Sequence, residues 1–455
     1  MIERKGLYLE LSLILVMLST SEIAFVNARV ISALDLPVHI HLSWQQSDMS
    51  STIVVTWQTA YSDSGTIVFY DNVSRGGGSS LYTYSTTGTV HIYSGASGYV
   101  HDTELTDLSP DSTYYFVCGG EIGGYSTERS FKTAPKQPSH LTFVVGGDCR
   151  SNSTQRDIMS NAMRQLNPSF VLFSGDMVET GSDQAQWDDF LQSLDSYWVG
   201  SNGQTIPIVP SLGNHEQNAT AYYEQFALPN NKQWYSLDWG ETVHITVLNS
   251  EANASGEQLQ WLENDLATHE NCTWKFVLFH QPLFSSGPHG SWIEGRSYWC
   301  PLFDKYHVDI VFSGHDHDYE RSKPINYTAS MTAPQNSYAE GTMYIVSGGW
   351  RAPLHSSNSS WWTAYSSSLY HFVQVDIFGN QTLNVQAKDA SGTTFDMVIQ
   401  KSPVVSELLW NIVLAILLGT AALMSAVQQQ ILRPLRLNTR CINRKRRRKN
   451  DVDAH

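Results

Sequence analysis

Residues 314–322 read Gly-His-Asp-His-Asp-Tyr-Glu-Arg-Ser, and they follow a β-prone run at residues 309–312, with Ser313 between them. Four earlier blocks place metal-ligand residues after a β-prone run in the same way: Asp148, then Asp176, then Asn214-His215-Glu216, and then His280. Side chains at the ends of parallel strands converge on the crevice where α/β folds hold ligands. The blocks therefore predict an α/β layered domain that carries a metal centre.

The donor set of these blocks combines oxygen and nitrogen atoms, which suits Zn, Mn or Fe, and it contains no group of thiolates. Two aspartates, one asparagine and three histidines are more than a single tetrahedral ion needs. An aspartate can bridge two cations about 3.5–4 Å apart, as in many hydrolases of phosphate esters. The ligand count therefore predicts two metal ions.

The five blocks, in this order and spacing, resemble the binuclear metallophosphoesterases. Residues 314–322 are close to the pattern G-H-x-H-x-Y-E-R of the purple acid phosphatases, and the resemblance covers roughly residues 37–400. It implies six metal ligands: Asp148 and His317 for the first ion, Asp176 as the bridge, and Asn214, His280 and His315 for the second.

The resemblance also implies two residues that act on the substrate. His215 corresponds to a catalytic histidine beside the leaving group, and we expect Glu216 to orient its imidazole through a hydrogen bond. His289, nine residues after His280, lies where the family has a substrate-contacting histidine.

Two departures from the family pattern affect the first metal. Glu179 replaces a metal-bound tyrosine, and Arg150 replaces the histidine that other binuclear phosphoesterases place two residues after the first aspartate. Glu179 is either a surface carboxylate or a substitute ligand, and Arg150 either contacts phosphate or pairs with a carboxylate. Three further histidines are expected to be satisfied core or surface groups: His244, His307 and His355.

The chain divides into an all-β part and an α/β part. Residues 36–135 alternate short β-rich runs with turn signals, which predicts a β-sandwich. Residues 108–116 resemble a fibronectin type III corner, in which a tyrosine hydroxyl caps the preceding turn, and this resemblance implies that role for Tyr114 and a sandwich of the fibronectin III type. Residues 140–402 alternate strand and helix signals, which predicts the α/β layered metallophosphoesterase domain. A sandwich also precedes the catalytic domain in the larger purple acid phosphatases, so the domain order agrees with the resemblance.

Both ends of the chain carry signals for membrane targeting. Residues 1–28 read as a signal peptide, with an A-x-A-like cleavage site at its end. Residues 408–427 form an uncharged stretch long enough to cross a bilayer, and residues 428–455 form a basic tail. Because positive charge marks the cytoplasmic side, we expect a single-pass type I membrane protein of the secretory pathway, with an extracellular or lumenal catalytic domain.

The chain carries a formal charge of −15; residues 431–455 contribute +7, which leaves −22 for the remainder. A strongly acidic body argues against a nucleic acid as the partner. Eight Asn-x-Ser/Thr sites precede the predicted span and agree with a glycosylated exterior domain: Asn72, Asn152, Asn218, Asn253, Asn271, Asn326, Asn358 and Asn380.

The five cysteines are too few for a disulfide scaffold. Cys441 lies in the predicted tail, which leaves four in an oxidising compartment. Cys272 and Cys300 bracket the His280 block and form one candidate bridge, although four cysteines allow three connectivities. Cys149 adjoins a ligand, and we do not expect it to be one.

These features favour a metal-dependent hydrolase of phosphate monoesters, of the acid phosphatase type. A phosphodiesterase that acts on nucleotides or phospholipid head groups is the alternative, because the same metals serve both reactions. A non-catalytic surface protein, whose sandwich binds a partner, is disfavoured by the complete ligand set.

Overall fold

The computed structural model describes residues 34–62, 64–150, 153–379 and 381–401. The predicted signal peptide, membrane span and basic tail lie outside these residues, and so do the glycosylation sites at Asn152 and Asn380. Among the helices in the described ranges, none combines the length and the apolar character needed to span a bilayer.

The N-terminal part is a sandwich of two antiparallel sheets. Its strands in the described residues are β1 Val38–Ser43, β2 Ile53–Thr59, β3 Ile67–Asp71, β4 Tyr84–Thr87, β5 Thr89–His91, β6 Tyr99–Leu105, β7 Thr113–Gly120, β8 Gly124–Tyr125 and β9 Arg129–Lys132. One sheet has the order β1-β2-β6-β5, and the other has the order β4-β3-β7-β8 with β9 paired to β7. Trp57 on β2 and Phe116 on β7 are fully buried in a shared apolar core.

The turn before β7 is fixed in the way the sequence predicts. The Tyr114 hydroxyl accepts a hydrogen bond of 2.9 Å from the backbone N–H of Ser109. This bond satisfies a turn amide that would otherwise lack a partner. It places the start of β7 against the core, where Tyr114 itself is buried.

Two further sheets form the catalytic part. Their strands are β10 His140–Gly146, β11 Val171–Phe173, β12 Ile208–Pro210, β13 Tyr235–Trp239, β14 Val243–Val247, β15 Trp274–Leu278, β16 Ile310–Ser313, β17 Tyr319–Ser322, β18 Met343–Ser347, β19 Thr363–Ser367, β20 His371–Phe378, β21 Thr382–Asp389 and β22 Thr394–Lys401. The first sheet has the order β12-β11-β10-β20-β21-β22, and the second has the order β13-β14-β15-β16-β18-β17-β19.

Five α-helices flank these sheets in the described residues: α1 Ser153–Met163, α2 Gln184–Tyr197, α3 Thr220–Gln225, α4 Glu257–Thr268 and α5 Ile293–Tyr306. α1 and α4 each present an apolar face to the core, because Met159, Met163, Leu262 and Leu266 are fully buried. The predicted architecture, a β-sandwich followed by an α/β layered domain, is thereby confirmed.

The two catalytic sheets pack against each other through aromatic side chains. The ring of Phe143 on β10 lies 5.3 Å from that of Phe276 on β15 and 6.4 Å from that of Phe312 on β16, measured between centroids. The strands around these contacts are parallel in both sheets: β10, β11 and β12 in the first, and β14, β15 and β16 in the second. Two sets of carboxyl-terminal strand ends therefore face one another at the same edge of the domain.

The sandwich is bonded to the segment that follows the Asn214 block. The His41 Nε2 atom lies 2.8 Å from the carbonyl oxygen of Gln225, at the end of α3. The Ser43 hydroxyl donates to the backbone carbonyl of Ala227 at 2.8 Å. The Gln58 side-chain amide donates to the side-chain oxygen of Gln225 at 2.9 Å. Because these polar groups are buried and paired, the contact is specific.

The candidate bridge between Cys272 and Cys300 is wrong, because both are free thiols in the structure. Cys300 is buried on α5 and accepts a hydrogen bond from the Tyr344 hydroxyl at 3.3 Å. Cys149 is also buried, and its thiol donates to the carbonyl of Met177 at 3.2 Å. It lies next to Asp148 as a packing residue.

Candidate metal centre

Three of the predicted ligands have a left-handed backbone. Asp148, Asp176 and His315 have φ of 61°, 55° and 68°, a conformation that costs a non-glycine residue about 1–2 kcal/mol. Each lies two or three residues after the end of a strand. Strain of this kind persists where the surrounding structure enforces it, and it clusters at functional sites.

The first group of donors comprises Asp148, Asp176 and His317. All three are buried, and their ligand atoms lie within 4.8 Å of one another. The His317 Nε2 atom is 3.5 Å from Asp148 Oδ1. The opposite ring nitrogen, Nδ1, donates to the carbonyl of Pro353 at 2.7 Å, so Nε2 keeps its lone pair for an ion, as is usual for a metal-binding histidine.

The second group of donors surrounds the His280 ring. Its Nε2 atom lies 2.9 Å from Asn214 Oδ1, 3.2 Å from His315 Nδ1 and 3.4 Å from Asp176 Oδ1. Its Nδ1 atom donates to the carbonyl of Ser174 at 2.7 Å, which again leaves the lone pair on Nε2. Asp176 contributes to both groups, as a bridging carboxylate must.

The electrostatics of the site fit a cation. Asp176 Oδ2 is buried and has no hydrogen-bond partner, which is costly for a carboxylate oxygen unless an ion binds it. Burial opposes charge on His280, but Asp176 and Asp148 outweigh it and raise the pKa of its ring to about 9. The carboxylates therefore attract positive charge to this point. Burial and the neighbouring His280 lower the pKa of His315 to about 2, so that ring is a neutral donor.

His215 lies at the edge of this centre. Its Nδ1 atom donates to the backbone carbonyl of Glu179 at 2.7 Å, while its Nε2 atom faces the site, 3.9 Å from Asp176 Oδ2. The ring is half-buried, so one edge is accessible to a substrate. The structure thus places His215 beside the predicted ligands without making it one of them.

Glu216 does not orient His215, so that expectation is wrong. Its buried carboxylate instead accepts hydrogen bonds from the backbone N–H groups of Asp176, Met177 and Gly213, at 2.9, 2.7 and 2.7 Å. Burial raises the pKa of this carboxyl to about 7. Glu216 therefore ties the loop after β11 to the loop after β12, which fixes two ligand-bearing loops relative to each other.

Both family departures lie beside the first group of donors. The Arg150 Nη2 atom is 3.5 Å from Asp176 Oδ2 and 3.2 Å from His317 Nε2. Its Nη1 atom is 3.5 Å from the carboxylate of Glu179, a side chain that is 49% exposed. The structure pairs Arg150 with carboxylates, which is one of the two alternatives that the sequence leaves open. Glu179 lies on the surface.

His289 is exposed beside the second group of donors. Its ring stacks on that of His315 with centroids 4.3 Å apart, and its backbone N–H donates to Asp316 Oδ1 at 3.0 Å. The exposed ring therefore lies beside donors predicted for the second metal ion, and its contact with the substrate stays a prediction.

His355, which the sequence predicts to be a satisfied core or surface group, packs against one of the predicted ligands. Its ring stacks on that of His317 with centroids 4.1 Å apart, and its Nδ1 atom lies 3.1 Å from the backbone nitrogen of His317. The residue belongs to none of the five blocks, so no sequence signal marks it. His244, by contrast, is a satisfied core group between Asp238 and Asp265, as expected.

Comparison with known proteins agrees with this geometry. Residues 125–319 match the model of the calcineurin-like phosphoesterases, and residues 37–133 match that of the purple acid phosphatase N-terminal domain. The chain is therefore a metal-dependent phosphoesterase of the calcineurin-like class.

Within that class it is a purple acid phosphatase-like protein. It is 29% identical over 310 residues to the probable purple acid phosphatase 20 of Arabidopsis thaliana, a match that covers 63% of this chain and 69% of the relative. It is 27% identical over 327 residues to purple acid phosphatase 1 of Ipomoea batatas, covering 66% and 67%. The purple acid phosphatase PPD1 of yellow lupin has the same fold, with a TM-score of 0.70 at 22% identity over 80% of this chain and 74% of that one.

Proposed function

We propose that this protein hydrolyses phosphate monoesters at a centre of two metal ions. The observation that carries the proposal is the convergence of six donor side chains, from two sheets, on the buried carboxylate of Asp176, whose Oδ2 atom accepts no hydrogen bond. Asp148 and His317 would hold the first ion with Asp176, and Asn214, His280 and His315 would hold the second with Asp176. Zn, Mn and Fe all accept such donors.

Two bound cations would neutralise the phosphoryl oxygens and activate the attacking water. The residues of the chain supply orientation and proton transfer. The Nε2 atom of His215 faces the centre, so a protonated His215 can donate to the leaving oxygen or hold a phosphoryl oxygen. His289, exposed above His315, can contact the substrate as it enters.

The proposed setting is the exterior or lumenal side of a membrane, with residues 408–427 as the anchor. The signal-like N-terminus, the glycosylation sites and the basic tail after an uncharged stretch support this proposal. The substrate would then be a phosphate ester outside the cytoplasm, and the acidic body makes a nucleic acid an unfavourable partner.

The test compares p-nitrophenyl phosphate with bis-p-nitrophenyl phosphate between about pH 4 and 9, with metal analysis of the same sample. We expect faster turnover of the monoester, with loss of activity when a chelator removes the metal. Faster turnover of the diester would overturn monoester specificity and favour the phosphodiesterase alternative. Hydrolysis of neither ester by a metal-loaded sample would overturn the proposal.

A further inference from the structure

The guanidinium of Arg150 lies among the donors of the first ion. Its Nη2 atom is 3.5 Å from Asp176 Oδ2 and 3.2 Å from His317 Nε2, and both of these atoms are predicted to bind that ion. The Arg150 side chain is only 15% exposed. Its Nε atom is buried without a hydrogen-bond partner, so the group is withdrawn from water and faces the centre.

The first ion also has few donors of its own. Besides the shared Asp176 it is left with Asp148 and His317, because the two positions that usually add a ligand carry Arg150 and Glu179. Glu179 does not compensate, since its carboxylate lies 3.5 Å from the Arg150 guanidinium and 3.5 Å from the Nδ1 atom of His215. The second ion, by contrast, has Asn214, His280 and His315 in addition to Asp176.

Charge also makes the predicted affinities of the two metal positions differ. A dication held by Asp176 Oδ2 and His317 Nε2 would lie within a few ångströms of a guanidinium that stays charged in proteins. Repulsion between unit charges at such a spacing lowers affinity by about tenfold or more, even at the high effective dielectric of protein surfaces. The same guanidinium neutralises part of the charge on Asp176, so the carboxylates attract the first ion less strongly.

We infer that Arg150 competes with the first metal ion for its position, so that the centre retains the second ion tightly and the first only weakly. The inference rests on the metal centre of the proposed function. In the resting protein, Arg150 supplies positive charge beside Asp176, and the first ion enters only when the guanidinium moves aside.

The test counts metal ions rather than activity. The full chain is loaded with excess Zn²⁺, separated from free metal by gel filtration, and analysed for zinc per chain. We expect the wild-type chain to retain about one equivalent. Arg150→Met removes the charge without adding a ligand, so it should retain about two. Arg150→Lys keeps a cation and should stay near one equivalent.

Arg75→Met is the matched control, because Arg75 pairs with Asp71 in the sandwich and its loss should leave zinc retention unchanged. Thermal unfolding of every variant checks that the fold is intact. Two equivalents in the wild-type chain, or one in a folded Arg150→Met variant, would overturn the inference.

Hydrolysis of p-nitrophenyl phosphate by the same samples separates this inference from the proposed function. A wild-type chain that is active and retains two equivalents overturns the inference alone. A chain that retains one equivalent and hydrolyses no phosphate ester, even with excess Zn²⁺ present, supports the inference and overturns the proposed function.

Discussion

At the scale of single residues, His215 differs from the ligand histidines in what its ring faces. Its Nδ1–H bond to the Glu179 carbonyl fixes the ring, and the Nε2 atom is left for the substrate. We expect His215→Ala to lower kcat by about 10²–10⁴-fold while metal content stays the same, because only proton transfer and phosphoryl contact are lost. Steady-state kinetics with metal analysis measure both quantities.

The leaving group discriminates between the roles of His215. A nitrophenyl ester should lose less rate than an alkyl ester, because nitrophenolate departs without a proton. Equal losses would argue against proton donation and for a purely electrostatic role. His140→Ala, at an exposed histidine at the start of β10, should change neither kcat nor metal content.

Asp176 is the residue on which both donor groups depend. Asp176→Ala should remove the bridge and reduce turnover to below a few per cent, since both ions lose a ligand. Zinc retention and hydrolysis of p-nitrophenyl phosphate check this, and circular dichroism checks that the strands persist. Asp107→Ala, on the exposed surface of the sandwich, is the control. A folded Asp176→Ala variant that keeps its metal and activity would contradict the assignment.

At the scale of elements, His244 joins β14 to its neighbours. Its two ring nitrogens donate to Asp238 on β13, at 2.8 Å, and to Asp265 on α4, at 3.0 Å. Burial opposes the charged ring, but these bonds outweigh it and raise the pKa of His244 from 6.5 to about 9. The folded state therefore binds this proton more tightly than the unfolded state does.

The pH dependence of stability follows from that shift. A histidine whose pKa is raised by folding stabilises the fold fully when the pH is below its pKa in the unfolded chain. This stabilisation is lost as the pH rises through its pKa in the folded chain. We expect the free energy of unfolding to fall by up to about 3 kcal/mol between pH 6.5 and 9. Denaturant unfolding at several pH values measures it. The free energy of unfolding should depend less steeply on pH in His244→Gln than in the wild-type chain. An equal pH dependence in the two proteins would contradict the raised pKa of His244.

The strand ends were predictable because their pattern is local. Each ligand block follows a run of β-prone residues, and the structure has a strand at all five positions, from His140–Gly146 to Ile310–Ser313. The division into two sheets was not predictable, because strand pairing depends on contacts between distant residues, such as those of Phe143 with Phe276. The same local sequence pattern is compatible with a crevice in a single sheet and with a crevice between two facing sheets.

Contacts that bind backbone groups were also hidden from the sequence. Glu216 reads as a partner of its neighbour His215, but its carboxylate accepts from amides of the loop after β11. The left-handed turn at Asp176 presents those amides, and no residue pattern encodes its direction. The contact of His355 with His317 was hidden for a similar reason, because the two residues meet only through the fold.

At the scale of the whole molecule, the catalytic part precedes residue 403 in the sequence and the proposed membrane anchor follows it. Deletion of all residues after 403 should release a soluble, glycosylated and active enzyme, because every predicted ligand precedes that point. Fractionation of cells that express the full and the shortened chain, with glycosidase treatment, measures this. A shortened chain that stays in the membrane fraction would contradict the proposed anchor.

Metal removal should also affect the molecule as a whole. Ions that bind only the folded chain stabilise it in proportion to the logarithm of their concentration over Kd, by about 2.7 kcal/mol at a hundredfold excess. We therefore expect a chelator to lower Tm, and Zn²⁺ to restore it. An unchanged Tm in a sample shown to have lost its metal would contradict a centre that joins both sheets. Asp176→Ala, which cannot bridge, serves as the control and should respond little to chelator.

The placement of the donors on opposite sheets has a consequence for how the protein tolerates change. Asp148, Asp176 and Asn214 follow strands of one sheet, whereas His280, His315 and His317 follow strands of the other. Coordination distances allow a displacement of only a few tenths of an ångström. Two metal ions bound by these residues would therefore fix the mutual alignment of the two sheets, and the aromatic core between the sheets would tolerate only displacements of that size. Substitutions of Phe143 would then have to preserve the distances between the metal ligands as well as the packing between the two sheets.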